Sequence, residues 1–357
     1  MKKLLKLFAP AILCLGASVL ASCGNVRPTE SETVTITDMY GKEVTVKKNP
    51  KKVACSRSTY DLLVAFGLGD KIDGVDKSVL NNPWTKVFYP DSEKHFAYSY
   101  ENSYELYLSR GVDLVFSPEP RITDDLVAHG VSAVTISLYG NPTFDSMIHA
   151  FSDMVAAIWP TEEVKAASKA WNTKFDKAVF DIQAELQKNE VPQEKLFYVR
   201  GDKDKGIGYT DTKGSFVEYA YRMLGFESMS AALDRGQNNV SAEALCEYNP
   251  DVFVMGGIYQ DKHVQEIKEA EPYTSLDAVK NDRIYTIPMG LTQMEQLNCL
   301  SAEFFYDQAN RLHSDLFDYD VKTMIKSSVK GYFGSDLTDE QVGYMLDGLS
   351  PTGGRLY

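Results

Sequence analysis

Between residues 163 and 188 the sequence is rich in Ala, Lys, Glu and Gln, and its large apolar residues, Val164, Trp171, Phe175, Val179, Ile182 and Leu186, are spaced by three, four or seven. That period predicts one long amphipathic helix. The helix splits the chain into two parts, and its apolar stripe must lie across both. A continuous helix resists hinge bending better than two or three loose strands, so the expected connection is stiff and the expected closure small.

Both flanking parts alternate strand and helix. Before the helix, Val34 to Asp38 and Glu43 to Val46 are alternating and β-branched about Tyr40-Gly41-Lys42, the pattern of a small hairpin. Lys52 to Cys55 reads as a short strand, followed by a helix carrying Tyr60, Leu62, Leu63 and Phe66. Ser58 with Asp61 resembles a capping box, and Gly67 supplies the stop. Ile72 to Val75, Leu114 to Phe116 and Ala133 to Ile136 are further expected strands, with helices around Glu105 to Leu108 and up to His129. Beyond the long helix, Leu196 to Val199, Asp251 to Val254 and Arg283 to Ile287 read as strands and Gly214 to Leu224 as a helix. Such alternation predicts parallel strands with crossover helices. ELYLSRGVDLVF at 105–116 and EALCEYNPDVFV at 243–254 share a Glu and, eight residues later, an Asp that leads into an apolar run. Both read as helix, tight turn and buried strand, one stopped by Gly111 and the other by Asn249-Pro250.

The amino terminus carries an address. Lys2, Lys3 and Lys6 precede an apolar run from Leu7 to Leu20, the arrangement of an export signal and too short for a full membrane span. Leu20-Ala21-Ser22-Cys23 closes it in the form of a bacterial lipobox, so residues 1–22 are expected to be removed and Cys23 to carry a diacylglycerol. More than one acyl chain anchors stably where a single one is marginal. The expected organisation is a signal at 1–22, a polar tether at 23–33, an N-terminal lobe at 34–158, the linking helix at 159–190, a C-terminal lobe at 191–315 and a helical tail at 316–357. The expected location is extracytoplasmic, lipid-anchored to the bacterial cell membrane.

Charge and reactive residues narrow the function. The net charge of -13 argues against a nucleic-acid binder, and losing the three signal lysines takes it to -16. Histidines at 95, 129, 149, 263 and 313 form no HExxH or His-x-His pattern, so no metal site is expected from them. With Cys14 in the signal and Cys23 lipidated, Cys55, Cys246 and Cys299 are an odd set without CxxC spacing, best read as small core hydrophobes. GLGD at 67–70 lacks the rest of a dinucleotide fingerprint. No nucleophile with its base is visible. Paired carboxylates in a cleft are not excluded by spacing, and Glu119 is the residue most open to that reading.

The opening TVTITDMYGKEVTVKKNPKKVACSRSTYDLLVAFGLGDKIDGV, then NSYELYLSRGVDLVFS, then VSAEALCEYNPDVFV, in that order, resemble the iron-complex and vitamin B12 class of ABC-importer substrate-binding proteins, over residues 34 to 315. The tail DVKTMIKSSVKGYFGSDLTDEQVGYML is similar to that of ferric-siderophore members. The resemblance implies an α/β fold of two Rossmann-like lobes joined by a single long helix. It also implies a ligand held between the lobes, no covalent chemistry, no cofactor, and delivery by a monomer to a dimeric ABC-importer permease. In that family a glutamate on each lobe pairs with transporter arginines, and those motif positions fall on Glu105 and Glu243.

Ligands of open α/β sheets meet the loops at the carboxyl ends of strands. The residues there are Arg57, Tyr60, Tyr98, Tyr100, Glu119, Arg121 and Tyr139 in the first lobe, with Arg200, Tyr209, Tyr259 and the Met289 to Met294 loop in the second. Arginines at loop ends of an acidic protein suit an anionic, oxygen-rich ligand, and tyrosines add flat contact area with a hydroxyl. A ferric siderophore-like chelate fits this set, with a corrinoid and then haem as alternatives. A sensor that binds such a ligand and signals to another membrane protein would read the same way.

Overall fold

The computed structural model describes residues 32–99, 102–136 and 148–357. The export signal, Cys23 and nearly all of the tether lie outside the described residues, as do Tyr100 and Tyr139. Among the described residues no helix is long and apolar enough to cross a membrane.

The chain begins with the expected hairpin, β1 (Thr33–Thr37) antiparallel to β2 (Glu43–Lys47), with Ile36 opposite Val44. Gly41 turns it at φ +78°, and Asp38 Oδ1 accepts from the Tyr40 and Lys42 amides, each at 2.9 Å. The N-terminal sheet is parallel throughout, in the order β5 (Phe96–Tyr98), β4 (Ile72–Asp76), β3 (Val53–Cys55), β6 (Leu114–Ser117), β7 (Ala133–Thr135). The C-terminal sheet is also parallel, in the order β11 (Ile284–Thr286), β10 (Val252–Met255), β8 (Glu194–Val199), β9 (Phe226–Ser228). The winding direction reverses between β3 and β6 in one lobe and between β8 and β10 in the other. Crevices open at such reversals.

The helices of the first lobe are α1 (Arg57–Ala65), α2 (Lys77–Asn81), α3 (Pro83–Phe88), α4 (Tyr104–Arg110), α5 (Pro120–Ala128) and α6 (Ala150–Ile158). The link is α7 (Glu162–Lys188), 27 residues capped by Thr161, or about 40 Å at the α-helical rise. Its buried stripe is Val164, Ser168, Trp171, Phe175, Ala178, Ile182 and Leu186, while Val179 is only half-buried. The second lobe holds α8 (Phe216–Met223), α9 (Ala242–Tyr248), α10 (Gln260–Glu269), α11 (Asp277–Lys280) and α12 (Ser301–Leu312). Phe175 on α7 stands edge-on to Phe305 of α12, and Lys174 pairs with Glu303, which is fully buried and also accepts from Ser328.

The tail, α13 (Val321–Phe333) and α14 (Asp339–Leu346), crosses back to the first lobe. Phe333 packs on Phe88 at 5.5 Å between ring centres, and Trp84 Nε1 donates to Leu349 O at 2.8 Å. One apolar core therefore runs from Val53 of β3 through α7 and α12 to Val342 of α14. A shared core of this kind gives the stiffness expected of the linking helix a second source.

Two local expectations change. α1 begins at Arg57 with Ser56 as its N-cap, ahead of the Ser58/Asp61 box, and Asp61 instead accepts from Thr292 Oγ1 of the second lobe at 2.8 Å. Gly111 and Asn249 stop α4 and α9 by one device, since both adopt the left-handed conformation, with φ 67° and 44°. Asparagine is among the few residues that visit that geometry, and here its amide is fixed by bonds to Asp277 at the start of α11.

Candidate functional site

The carboxyl ends of the two sheets face one another across a groove made of three adjoining hollows. The first, about 280 Å³, lies at the β3/β6 reversal and is lined by Cys55, Ser56, Asp76, Tyr98, Tyr107 and Ser117, among others. The second, about 330 Å³, lies between Ser78 to Pro83 and the loop from Met289 to Gln296. The third, about 240 Å³, lies at the β8/β10 reversal against Arg200, Asp211, Tyr259 and Glu295. Arg57 and Gln296 line all three, and Arg200 lines two. One guanidinium from each lobe therefore meets at the centre.

Local folding sets each of these side chains. Arg57 is the first residue of α1, where a side chain leaves the helix toward the crevice, and among the described residues it has no carboxylate partner. Arg200 follows β8, its amide donating to Tyr209 O at 2.8 Å, and its Nη1 lies 3.1 Å from Asp211 Oδ1. Beside it Gly201 and Gly257 cross closely, with φ of 61° and 69°. A Cβ on Gly201 would sit 1.6 Å from Gly256 O, so the crossing requires glycine. The Gly257 amide, so placed, donates to Glu295 Oε1 at 2.8 Å.

The first hollow has a rigid floor. Tyr98 stacks on Tyr107 at 4.9 Å, and its hydroxyl donates to Asp73. Burial opposes ionisation of Asp73, but hydrogen bonds from Arg110, Tyr98 and Lys52 outweigh it and hold the carboxyl below its usual range. In the third hollow burial dominates. It raises the Asp211 carboxyl despite Arg200, and it pushes Glu295 up to about 7. Interlobe hydrogen bonds close the second hollow from behind, from Asn82 Nδ2 to Gly290 O and Leu291 O at 2.9 and 3.0 Å.

Of the residues picked at strand ends, Arg57, Tyr98, Arg200, Tyr259 and Met289 line the groove. Tyr60 does not. It is 0% exposed, one turn down α1, with its hydroxyl 2.9 Å from His95 Nδ1 and its phenol pushed far up by burial. Met294 is likewise a core residue. Arg121 lies on the exposed face of α5 and donates to Glu119 Oε1 at 3.1 Å, outside the three hollows. Tyr209 packs beneath Arg200, whose guanidinium carbon is 5.5 Å from the ring centre. Asp76, Asp211, Glu295 and Gln296 also line the groove without being strand-end candidates, and Gln293 does so from within the Met289 to Met294 loop. The signal for Glu295 and Gln296 is the polar run QMEQ at 293–296, which carries the Met289 to Met294 loop two residues further.

Glu105 and Glu243 lie away from the groove and correspond closely. Each is exposed, each is the second residue of its helix, and each follows a serine N-cap, Ser103 or Ser241. Their own backbone amides, aided by Tyr104 and Ser103 in one case and Ser241 in the other, hold both carboxyls below the usual range. Cys55 and Cys299 are buried and Cys246 half-buried, all unpaired. Among the described residues no three His, Cys, Asp or Glu side chains gather as a metal site.

Residues 130–290 match the family model described as periplasmic binding protein. The chain is 27% identical over 293 residues to the ABC transporter substrate-binding lipoprotein YvrC of Bacillus subtilis, covering 78% of this chain and 88% of that one. It is 27% identical over 143 residues to the Fe(3+)-citrate-binding protein YfmC of the same organism, covering 40% and 42%. A periplasmic solute binding protein from Veillonella parvula shares the fold with a TM-score of 0.64 at 20% identity, over 90% of this chain and 98% of that one.

Proposed function

We propose that this chain is a solute-binding protein of the periplasmic binding protein family, a reading supported by the match over residues 130–290 and the likeness to YvrC, and that it captures an anionic ferric chelate in the interlobe groove and hands it to an ABC importer. The observation that carries the reading is Arg57, which lines all three hollows and has no carboxylate partner among the described residues. Arg200 supports it from the other lobe, with part of its charge already taken by Asp211. Bidentate guanidinium contacts suit carboxylate, catecholate or hydroxamate oxygens. The Fe(3+)-citrate-binding relative points the same way.

Calorimetry with ferric citrate tests this, because Trp84, Trp159 and Trp171 are all buried away from the groove and would report binding poorly. Arg57→Ala is expected to weaken ferric citrate about 10- to 100-fold, the worth of a charged hydrogen bond, and Arg57→Lys to restore part of it. Undiminished affinity in Arg57→Ala would remove the residue from the site. Binding of cyanocobalamin with no response to ferric citrate would replace the chelate by a corrinoid.

Delivery in this reading uses Glu105 and Glu243 as contacts on the permease, and a lipid on Cys23 keeps the protein at the membrane surface. Detergent-phase partitioning checks the anchor. The wild type should enter the detergent phase and Cys23→Ser should stay in the aqueous phase. Retention of the variant in detergent would mean that another segment anchors the chain.

A further inference from the structure

Glu295 is 4% exposed, yet it lines the third hollow. Its Oε1 is taken by the Gly257 amide, and its buried Oε2 has no hydrogen-bond partner among the described residues. A buried carboxyl oxygen left unpaired is costly, and in a binding groove the missing partner is one the ligand can bring. The neighbouring charges do not supply it. Arg200 is engaged by Asp211, while Asp202 and Lys203 are exposed, and Asp202 Oδ1 accepts from the Asp204 amide. Among the described residues the groove thus presents Arg57, with no carboxylate partner at its centre, and Glu295, with Oε2 unpaired in the third hollow.

We infer that Glu295 Oε2 receives a cationic nitrogen of the ligand, so that the captured chelate presents chelating oxygens to Arg57 and a pendant ammonium or guanidinium to the third hollow. This rests on the chelate-capture reading and narrows its substrate class. The nitrogen pairs with the ionised carboxyl. Because burial pushes Glu295 up to about 7, with Asp211 adding to and Arg200 opposing the effect, the contact forms above neutrality and weakens in mild acid.

The test uses ferrioxamine B, a ferric trihydroxamate whose iron core is neutral overall and which carries a free terminal ammonium, and its N-acetyl derivative, in which a neutral acetamide replaces that ammonium. Titrated at pH 8, the wild type is expected to bind the amine form about tenfold or more tightly than the acetylated one. The preference should shrink at pH 6. Glu295→Gln preserves the volume and the acceptor for Gly257, and should erase the preference while leaving the acetylated form unaffected. Equal affinity for the two forms, a preference that survives Glu295→Gln, or no binding of ferrioxamine B each overturns the nitrogen site. If any of these is found while ferric citrate still binds through Arg57, chelate capture stands without the nitrogen site. If neither ferric probe binds, both fall.

Discussion

Glu105→Ala with Glu243→Ala is expected to leave ligand affinity at the wild-type value and to cut uptake by about 100-fold or more. Both carboxylates are exposed in the free protein and remote from the groove, so removing them exposes no cavity and strands no buried partner. In a complex the balance differs. Truncating one side of a desolvated charge pair costs about 2–5 kcal/mol, much of it from the partner charge left unpaired. The two sites occupy equivalent places on related lobes, each at the second position of a seven-residue helix that leads into a central strand. A two-fold partner can engage both at once, and the second contact then forms intramolecularly. Each single variant should therefore transport at an intermediate rate. Labelled-ligand uptake in cells, set beside calorimetry on the purified variants, separates the roles. Normal uptake in the double variant would dismiss docking, and lost affinity would mean the residues support the fold.

How much of this could be read from the sequence depended on whether a feature is local. The linking helix was legible because its buried stripe repeats over 27 residues, and only Val179 was misplaced toward the core. The central strands β3, β6, β8 and β10 were legible as short apolar runs followed by turn residues. The edge strands β5 and β9, Phe96–Tyr98 and Phe226–Ser228, were not, since neither holds a β-branched residue, whereas the equally short edge strands β7 and β11 carry Val134-Thr135 and Ile284-Tyr285-Thr286. In the groove, Arg57 and Arg200 follow from their place at the end of a central strand. Tyr60 lies only three residues beyond Arg57, but one turn along α1 the side chain already points into the core, against His95. Glu295 and Gln296 sit in an irregular loop whose course is set by long-range bonds such as Asn82 to Gly290, and no local pattern encodes those. The same holds for Asp61, whose partner Thr292 is 231 residues away.

Asp61→Asn is expected to stabilise the protein in mildly alkaline buffer, by up to about 4 kcal/mol, and to do so progressively less as pH falls. Asp61 is fully buried between the lobes. Burial pushes its carboxyl up to about 7, with only partial relief from Thr292 and from Cys299 and Leu62. In the unfolded chain the same group titrates near 3.8. Between those values the folded protein holds a proton that the unfolded chain has released, so stability falls as pH rises. The penalty is absent below about pH 4, grows through pH 7 and is constant above it. Asparagine keeps the acceptor for Thr292 Oγ1 and cannot ionise, so it removes the penalty without opening a cavity. Glu295 contributes with the same sign. His95 and His313, held below their usual range by burial, act oppositely in acid, as their protonation favours the unfolded chain. Comparing variant with wild type at each pH cancels those shared terms. Urea unfolding at pH 5, 6, 7 and 8 should therefore give a stability difference that rises across the first three values and then levels. A difference independent of pH would mean that Asp61 is ionised in the fold throughout, stabilised by the loop it joins to α1.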